Sequence, residues 1–153
     1  MTTLVVLCPS TVIQISNSIE ISLPVSQVFA FVADVDNNPK WMPVQSVQKL
    51  GSGPIGVGTQ FKQQFVLMGS KYNLDGVITA FEPNKKISFN YVSSIFTWRG
   101  DYLFEHVPAG TRLSAKGNIS LTGILKMMET NFAPKIRKLI NDTSPKLKKV
   151  LEA

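Results

Sequence analysis

From Val12 to Leu23 the apolar residues keep odd parity, at Ile13, Ile15, Ile19, Ile21 and Leu23. A period of two buries one face of an extended chain, so this segment predicts a strand that Pro24 ends. Val25, Val28, Phe29 and Val32 then step by three and four, the spacing of one helical face. Asp34-Val-Asp-Asn-Asn-Pro39 closes that short helix with turn-forming side chains, and Lys40 to Pro43 predicts a loop or one further turn. From Val44 the period returns to two, giving strands at about 44–50, 59–68, 71–82, 86–93, 96–106 and 111–121. The connections are short, so consecutive strands must be antiparallel.

Beyond the last strand, Leu125, Met128, Phe132, Ile136 and Leu139 again step by three and four. They predict a long amphipathic helix, the one element large enough to cover the open apolar face of a curved sheet. Pro134 removes one bond inside that helix and predicts a kink. Asp142-Thr-Ser-Pro145 predicts a stop and restart, with Ser144 as the cap and Pro145 in the first turn. The fold class is thus α+β: a seven-stranded curved antiparallel sheet, two short helices and a long C-terminal helix over its apolar face. Residues 1–11 read as a flexible extension, and 12–153 as a single domain.

Composition narrows the chemistry. At 153 residues, 44% apolar, the chain suits one domain with a real core. The single cysteine, Cys8, allows no internal disulfide, and with one histidine, His106, no zinc set is legible. No cofactor motif follows either. Gly51-Ser-Gly53-Pro-Ile-Gly56 fits G-x-G-x-x-G, but a strand rather than a helix should follow it, so it predicts a hairpin and not a nucleotide loop. Met1 to Leu7 is apolar yet too short to span a bilayer, carries no Lys or Arg, and is interrupted by Pro9. A cytoplasmic, reducing setting is the expectation.

The net charge of +6 raises the question of anionic partners. Seven basic residues against three acids after Gly123 place +4 of it on the C-terminal helix, mostly on its wet side. A solvated face explains that charge; a weak contact with an anionic membrane is the alternative. Nucleic acid is not expected, because no aromatic residues interleave with the basic ones.

Several local patterns together resemble one family. Ile21-Ser-Leu-Pro-Val-Ser-Gln-Val-Phe29 resembles the first strand-to-helix junction of the SRPBCC superfamily, the START-like helix-grip fold. Asp34 with Pro39-Lys-Trp41-Met-Pro43 resembles its second junction, and Gly53 to Phe61 its next hairpin. Tyr102-Leu-Phe-Glu105 with Gly110-Thr-Arg-Leu113 is similar to its last hairpin, and Leu125 to Ile136 to its helix. The subgroup most resembled is the bacterial polyketide cyclase/dehydrase and lipid-transport proteins. The resemblance implies a cavity between sheet and helix that holds a hydrophobic small molecule such as a lipid or polyketide.

The residues say which side chains would line it. One strand parity collects Phe61, Gln63, Phe65, Tyr72, Leu74, Phe89, Tyr91, Trp98, Tyr102 and Phe104; Leu125, Met128, Phe132 and Ile136 face them from the helix. The opposite parity is polar, with Arg99 and Asp101 expected to pair on it. Burying about ten methylenes at roughly 0.8 kcal/mol each yields ~8 kcal/mol, the scale of micromolar binding, so no charged anchor is required. Gln63, Tyr72, Tyr91, Trp98 and Tyr102 could supply one or two hydrogen bonds. Acid–base candidates are fewer: Tyr72, Tyr102 and His106, the last at a strand end where an ordinary edge histidine accounts for it. Binding or carriage is therefore the leading expectation. A polyketide cyclase or dehydratase, and a partner-binding or quinone-chaperone module using the basic helix, are the alternatives.

Overall fold

A computed structural model describes residues 12–67, 69–122 and 129–153. The expected N-terminal extension, 1–11, lies outside the described residues, as do Leu125 and Met128. Strand β1 spans Val12–Ile21, helix α1 Val25–Ala33, and α2 Asn38–Trp41 after a single 3-10 turn at Val35–Asn37. Strands β2 (Ser46–Leu50), β3 (Gln60–Leu67), β4 (Ser70–Glu82), β5 (Lys86–Val92), β6 (Phe96–Val107) and β7 (Gly110–Leu121) follow. Helices α3 (Glu129–Asn141) and α4 (Thr143–Leu151) end the chain. All seven strands form one antiparallel sheet in the order β1-β7-β6-β5-β4-β3-β2. The strands from β2 on form a meander, and β1 returns to pair with β7, leaving β1 and β2 as the edges.

The strand bounds fall within about two residues of those the period predicts, because each turn carries its own stop signal. Asn84, at φ 63°, takes the left-handed position between β4 and β5. Strand β1 ends two residues before Leu23: the Ser22 amide donates to Glu152 Oε2 at 2.7 Å instead of continuing the ladder. Lys148 Nζ donates to the Glu20 carbonyl at 2.6 Å, so α4 holds the end of β1 from both sides.

The two parities separate as expected over most of the sheet. Along β3 the burial alternates strictly from Gln60 to Phe65, with Phe61, Gln63 and Phe65 inside. The alternation breaks at the end of β6, where Glu105 and His106 are both exposed. His106, expected on the inner parity, is therefore on the surface. The expected Arg99–Asp101 pair also does not form among the described ion pairs; Asp101 accepts a short hydrogen bond from Ser88 Oγ instead. Ser88 is its register partner on β5, and directly opposed residues on one sheet face lie closer than residues two apart on one strand.

The C-terminal helix breaks at the expected place by a different device. Asp142 keeps near-helical angles (φ −77°, ψ −12°) and caps nothing with its side chain. Its amide donates to Lys138 O at 3.0 Å, so the two helices join through a bend rather than a full stop. Ser144 does not cap; its hydroxyl donates to Asn17 Oδ1 on β1 at 3.0 Å. Pro134 sits inside α3. Helix α4 packs against β1 and α2, and α3 against β1, which lays the pair over the inner face of the sheet.

Candidate functional site

Two bodies of side chains share that inner face. Near α1, Phe29 meets Phe81 and Phe104 edge to face at 5.4 and 5.1 Å, an interlocked cluster of rings. Towards β2 and α3 the packing opens into a cavity of about 90 Å³. Its floor comes from β3 to β7: Gln63, Phe65 and Leu67; Leu74; Tyr91; Phe96, Trp98 and Tyr102; and Ile119. Met42, Pro43 and Val44 close one side, and Ile136, Leu139, Ile140 and Thr143 the top.

Glycines decide how the floor is laid. A Cβ at Gly76 would sit 2.6 Å from the Phe61 ring and 3.0 Å from that of Tyr91. With no side chain there, the Tyr91 ring on β5 leans across β4 and meets Phe61 of β3 edge to face at 5.7 Å. A Cβ at Gly100 would meet the Trp98 indole at 2.6 Å, so that ring too lies flat on the sheet.

Of the residues expected to line a cavity, the structure brings Gln63, Phe65, Leu74, Tyr91, Trp98, Tyr102 and Ile136 together. Phe61 and Phe89 lie behind that layer, in ring contact with Tyr91. Tyr72 stacks on Phe65 at 5.3 Å without reaching the cavity wall, and Phe104 belongs to the ring cluster beside Phe29. Leu125, Met128 and the Phe132 side chain lie outside the described residues. Met42, Pro43, Val44, Leu139, Ile140 and Thr143 also line the wall without having been expected there. Of these, Val44 belonged to a visible pattern as the first residue of a period-two segment, and Leu139 through the spacing of the helix.

The wall is apolar with two exceptions that matter. Gln63 is 1% exposed, and its Oε1 accepts from Asn38 Nδ2 at 2.7 Å. Its Nε2, and the hydroxyl of Tyr91, are buried without a hydrogen-bond partner among the described residues. The Trp41 indole N–H, behind Tyr102, is in the same condition. By contrast the hydroxyl of Thr143 is committed to Ile140 O at 2.6 Å.

Burial holds the Tyr91 phenol well above its ordinary range, and the neighbouring Tyr102 raises it further. Tyr102 is likewise pushed up by burial. Both stay protonated near neutral pH, and they are the only titratable groups among the described residues of the wall. Held protonated, such a phenol is a hydrogen-bond donor in want of an acceptor. Among the described residues no three His, Cys, Asp or Glu side chains gather as a metal would need, and no helix is long and apolar enough to cross a membrane.

Comparison with known proteins agrees with this architecture. A family model described as polyketide cyclase/dehydrase and lipid transport matches residues 12–152. No curated protein matches the sequence. Among solved structures, a protein of Rhizobium leguminosarum superimposes with a TM-score of 0.74 at 14% identity, over 92% of this chain and 95% of that one. A START superfamily protein from Mycobacterium smegmatis gives 0.69 at 16% identity, over 92% and 94%. The di-domain ARO/CYC StfQ, from the steffimycin biosynthetic pathway, gives 0.74 at 14% identity over 92% of this chain, which spans 49% of that protein. At these identities the likeness is one of fold.

Proposed function

The chain belongs to the polyketide cyclase/dehydrase and lipid-transport family, and from that premise we propose that it binds a hydrophobic small molecule between the sheet and α3, as a carrier or sensor. The observation that carries this reading is the apolar cavity with two buried polar atoms left without partners, Gln63 Nε2 and Tyr91 Oη. An unpartnered buried polar group costs about 1–3 kcal/mol, a cost that a bound molecule with a matching group would offset. Elsewhere on the inner face, beside α1, Phe29, Phe81 and Phe104 pack ring against ring.

The enclosed 90 Å³ is small. Sites for drug-sized molecules run from about 300 to 1,000 Å³. An occupant of lipid or polyketide size therefore enters with displacement of α3, whose Leu139 lines the cavity and is 37% exposed. Carriage is favoured over cyclase or dehydratase chemistry because the described wall brings no carboxylate or histidine to the cavity to act as a base near neutral pH. The basic helices favour a membrane contact less than the charge count suggested. Lys138 pairs with Asp142 and Lys148 with Glu152, both at 2.8 Å, which neutralises part of that face.

Native mass spectrometry of the purified chain tests the reading. A lipid-sized adduct, or uptake of diphenylhexatriene by stripped protein with displacement by long-chain ketones or esters, is the expected result. A chain that carries no adduct and takes up no apolar probe overturns it.

A further inference from the structure

The two unpartnered atoms of the cavity wall have the same polarity. Gln63 reaches in from β3 and Tyr91 from β5, and both bound the one cavity. The Asn38 amide engages the Gln63 carbonyl, so the end of Gln63 left over is its NH2, which only donates. Tyr91 is 4% exposed and its hydroxyl has no acceptor among the described residues. Its ring is held by Phe89, stacked at 5.6 Å, and by Phe61, so the hydroxyl cannot swing out to solvent without breaking those contacts. We propose that Gln63 Nε2 and Tyr91 Oη together clamp one acceptor oxygen, so that the cavity selects apolar molecules bearing a carbonyl: ketones, esters or quinones rather than plain hydrocarbon chains.

A carbonyl oxygen fits because it offers two lone pairs and brings no hydrogen of its own. An alcohol would also accept, but it brings a donor of its own, which the Gln63 NH2 cannot receive. Burial keeps the Tyr91 proton in place, which preserves the donor. Asn38 acts one step back as a positioning residue, since it fixes which end of Gln63 faces the cavity. The proposal rests on the cavity reading above and adds the class of ligand to it.

The test uses isosteres small enough for the cavity, acetone and isobutene, which differ only in O against CH2. Their affinities for the whole chain and for Tyr91→Phe and Gln63→Met are measured by NMR titration. The ketone-to-alkene affinity ratio should fall about tenfold in each variant, the scale of one neutral hydrogen bond in a dry site. The infrared carbonyl band of bound 13C-labelled acetone should lie at lower wavenumber in the parent chain than in Tyr91→Phe. This second readout stands even where Gln63→Met fails to fold. An unchanged ratio and an unmoved band overturn the clamp while leaving the cavity reading intact. Preference for 2-propanol over the ketone also overturns it, because it means the Asn38 and Gln63 amides sit the other way round and Gln63 presents an acceptor. Binding of neither isostere overturns the clamp and the cavity reading together.

Discussion

The same sheet face is finished differently at its two ends. Beside α1, Phe29, Phe81 and Phe104 interlock, and every buried polar side chain nearby has a partner; Thr111 Oγ1, for instance, donates to Leu23 O at 2.7 Å. Beneath α3 the rings are as numerous, yet space remains and two polar atoms stay unpaired. Both ends arise from one parity of one meander, so apolar content does not distinguish them. What differs is the covering element. Helix α1 follows directly from β1 and delivers Val28, Phe29 and Val32 into the sheet as buried knobs. Helix α3 arrives from the far end of the chain, bends into α4 at Asp142, and leaves Leu139 partly in solvent. Beside α1 the rings interlock, and beneath α3 a cavity remains next to two unpaired polar groups.

Large-to-small substitutions should break this symmetry most strongly. Phe29→Ala removes a ring from the interlocked end and should cost about 3–5 kcal/mol in denaturant unfolding. Phe65→Ala, at the cavity wall, should fall at the low end, about 3 kcal/mol, and should increase uptake of an apolar probe by enlarging the space. Equal uptake by both variants would remove the distinction between the two ends. Next in size comes the buried amide pair. Asn38→Leu strands the Gln63 carbonyl and should cost about 1–3 kcal/mol, and adding Gln63→Leu should restore part of it by leaving nothing polar to satisfy. No recovery in the double variant would mean that Asn38 acts through packing alone.

How far the sequence discloses this contrast depends on the level. Period two places Phe61, Gln63, Phe65, Phe89, Tyr91, Trp98 and Tyr102 on one face, and all seven are buried there. Parity says which face a residue takes, not how deep it lies. Phe61 and Phe89 share parity with Tyr91 yet sit behind it, because a glycine at 76 lets the Tyr91 ring lean across the sheet. That depth depends on three strands at once, and no single segment encodes it. Met42 and Pro43 were hidden for a related reason: a short loop has no period, and its direction is set by where α2 ends. Asn38 gave no sign of its role, since in the sequence Asp34 to Pro39 is simply a turn. The break at Asp142 was legible, but its geometry was not, because Ser144 finds a partner on β1, 127 residues away.

Alkaline titration separates the two ends without changing shape. Tyr91 and Tyr102 lie at the cavity end, and burial raises both phenols above the ordinary value of about 10. Their folded pKa exceeds the unfolded one, so the stability they contribute is fully present below about pH 10. It is lost as the pH climbs further, because the unfolded chain releases protons that the folded chain keeps. The loss in the parent should therefore be shallower in Tyr102→Phe, while Phe29→Ala should lower stability by the same amount on both sides of that pH. A Tyr102→Phe profile parallel to the parent would mean that this phenol is solvated.

The smallest change in stability is expected from Tyr91→Phe. The substitution keeps the ring and its stacking on Phe89, and removes one hydroxyl that has no partner among the described residues. Relieving that atom should leave stability unchanged or raise it by up to about 1 kcal/mol. A hydroxyl placed only for the core would behave otherwise, since its loss would weaken the fold. Unfolding and ligand titration on the same variant therefore pull in opposite directions if Tyr91 serves the cavity. Stability at or above the parent's, with weaker ketone binding, marks a residue held at a local cost for function. Destabilisation by more than about 1 kcal/mol, with binding unaltered, would move Tyr91 into the core and leave the two ends of the sheet face alike.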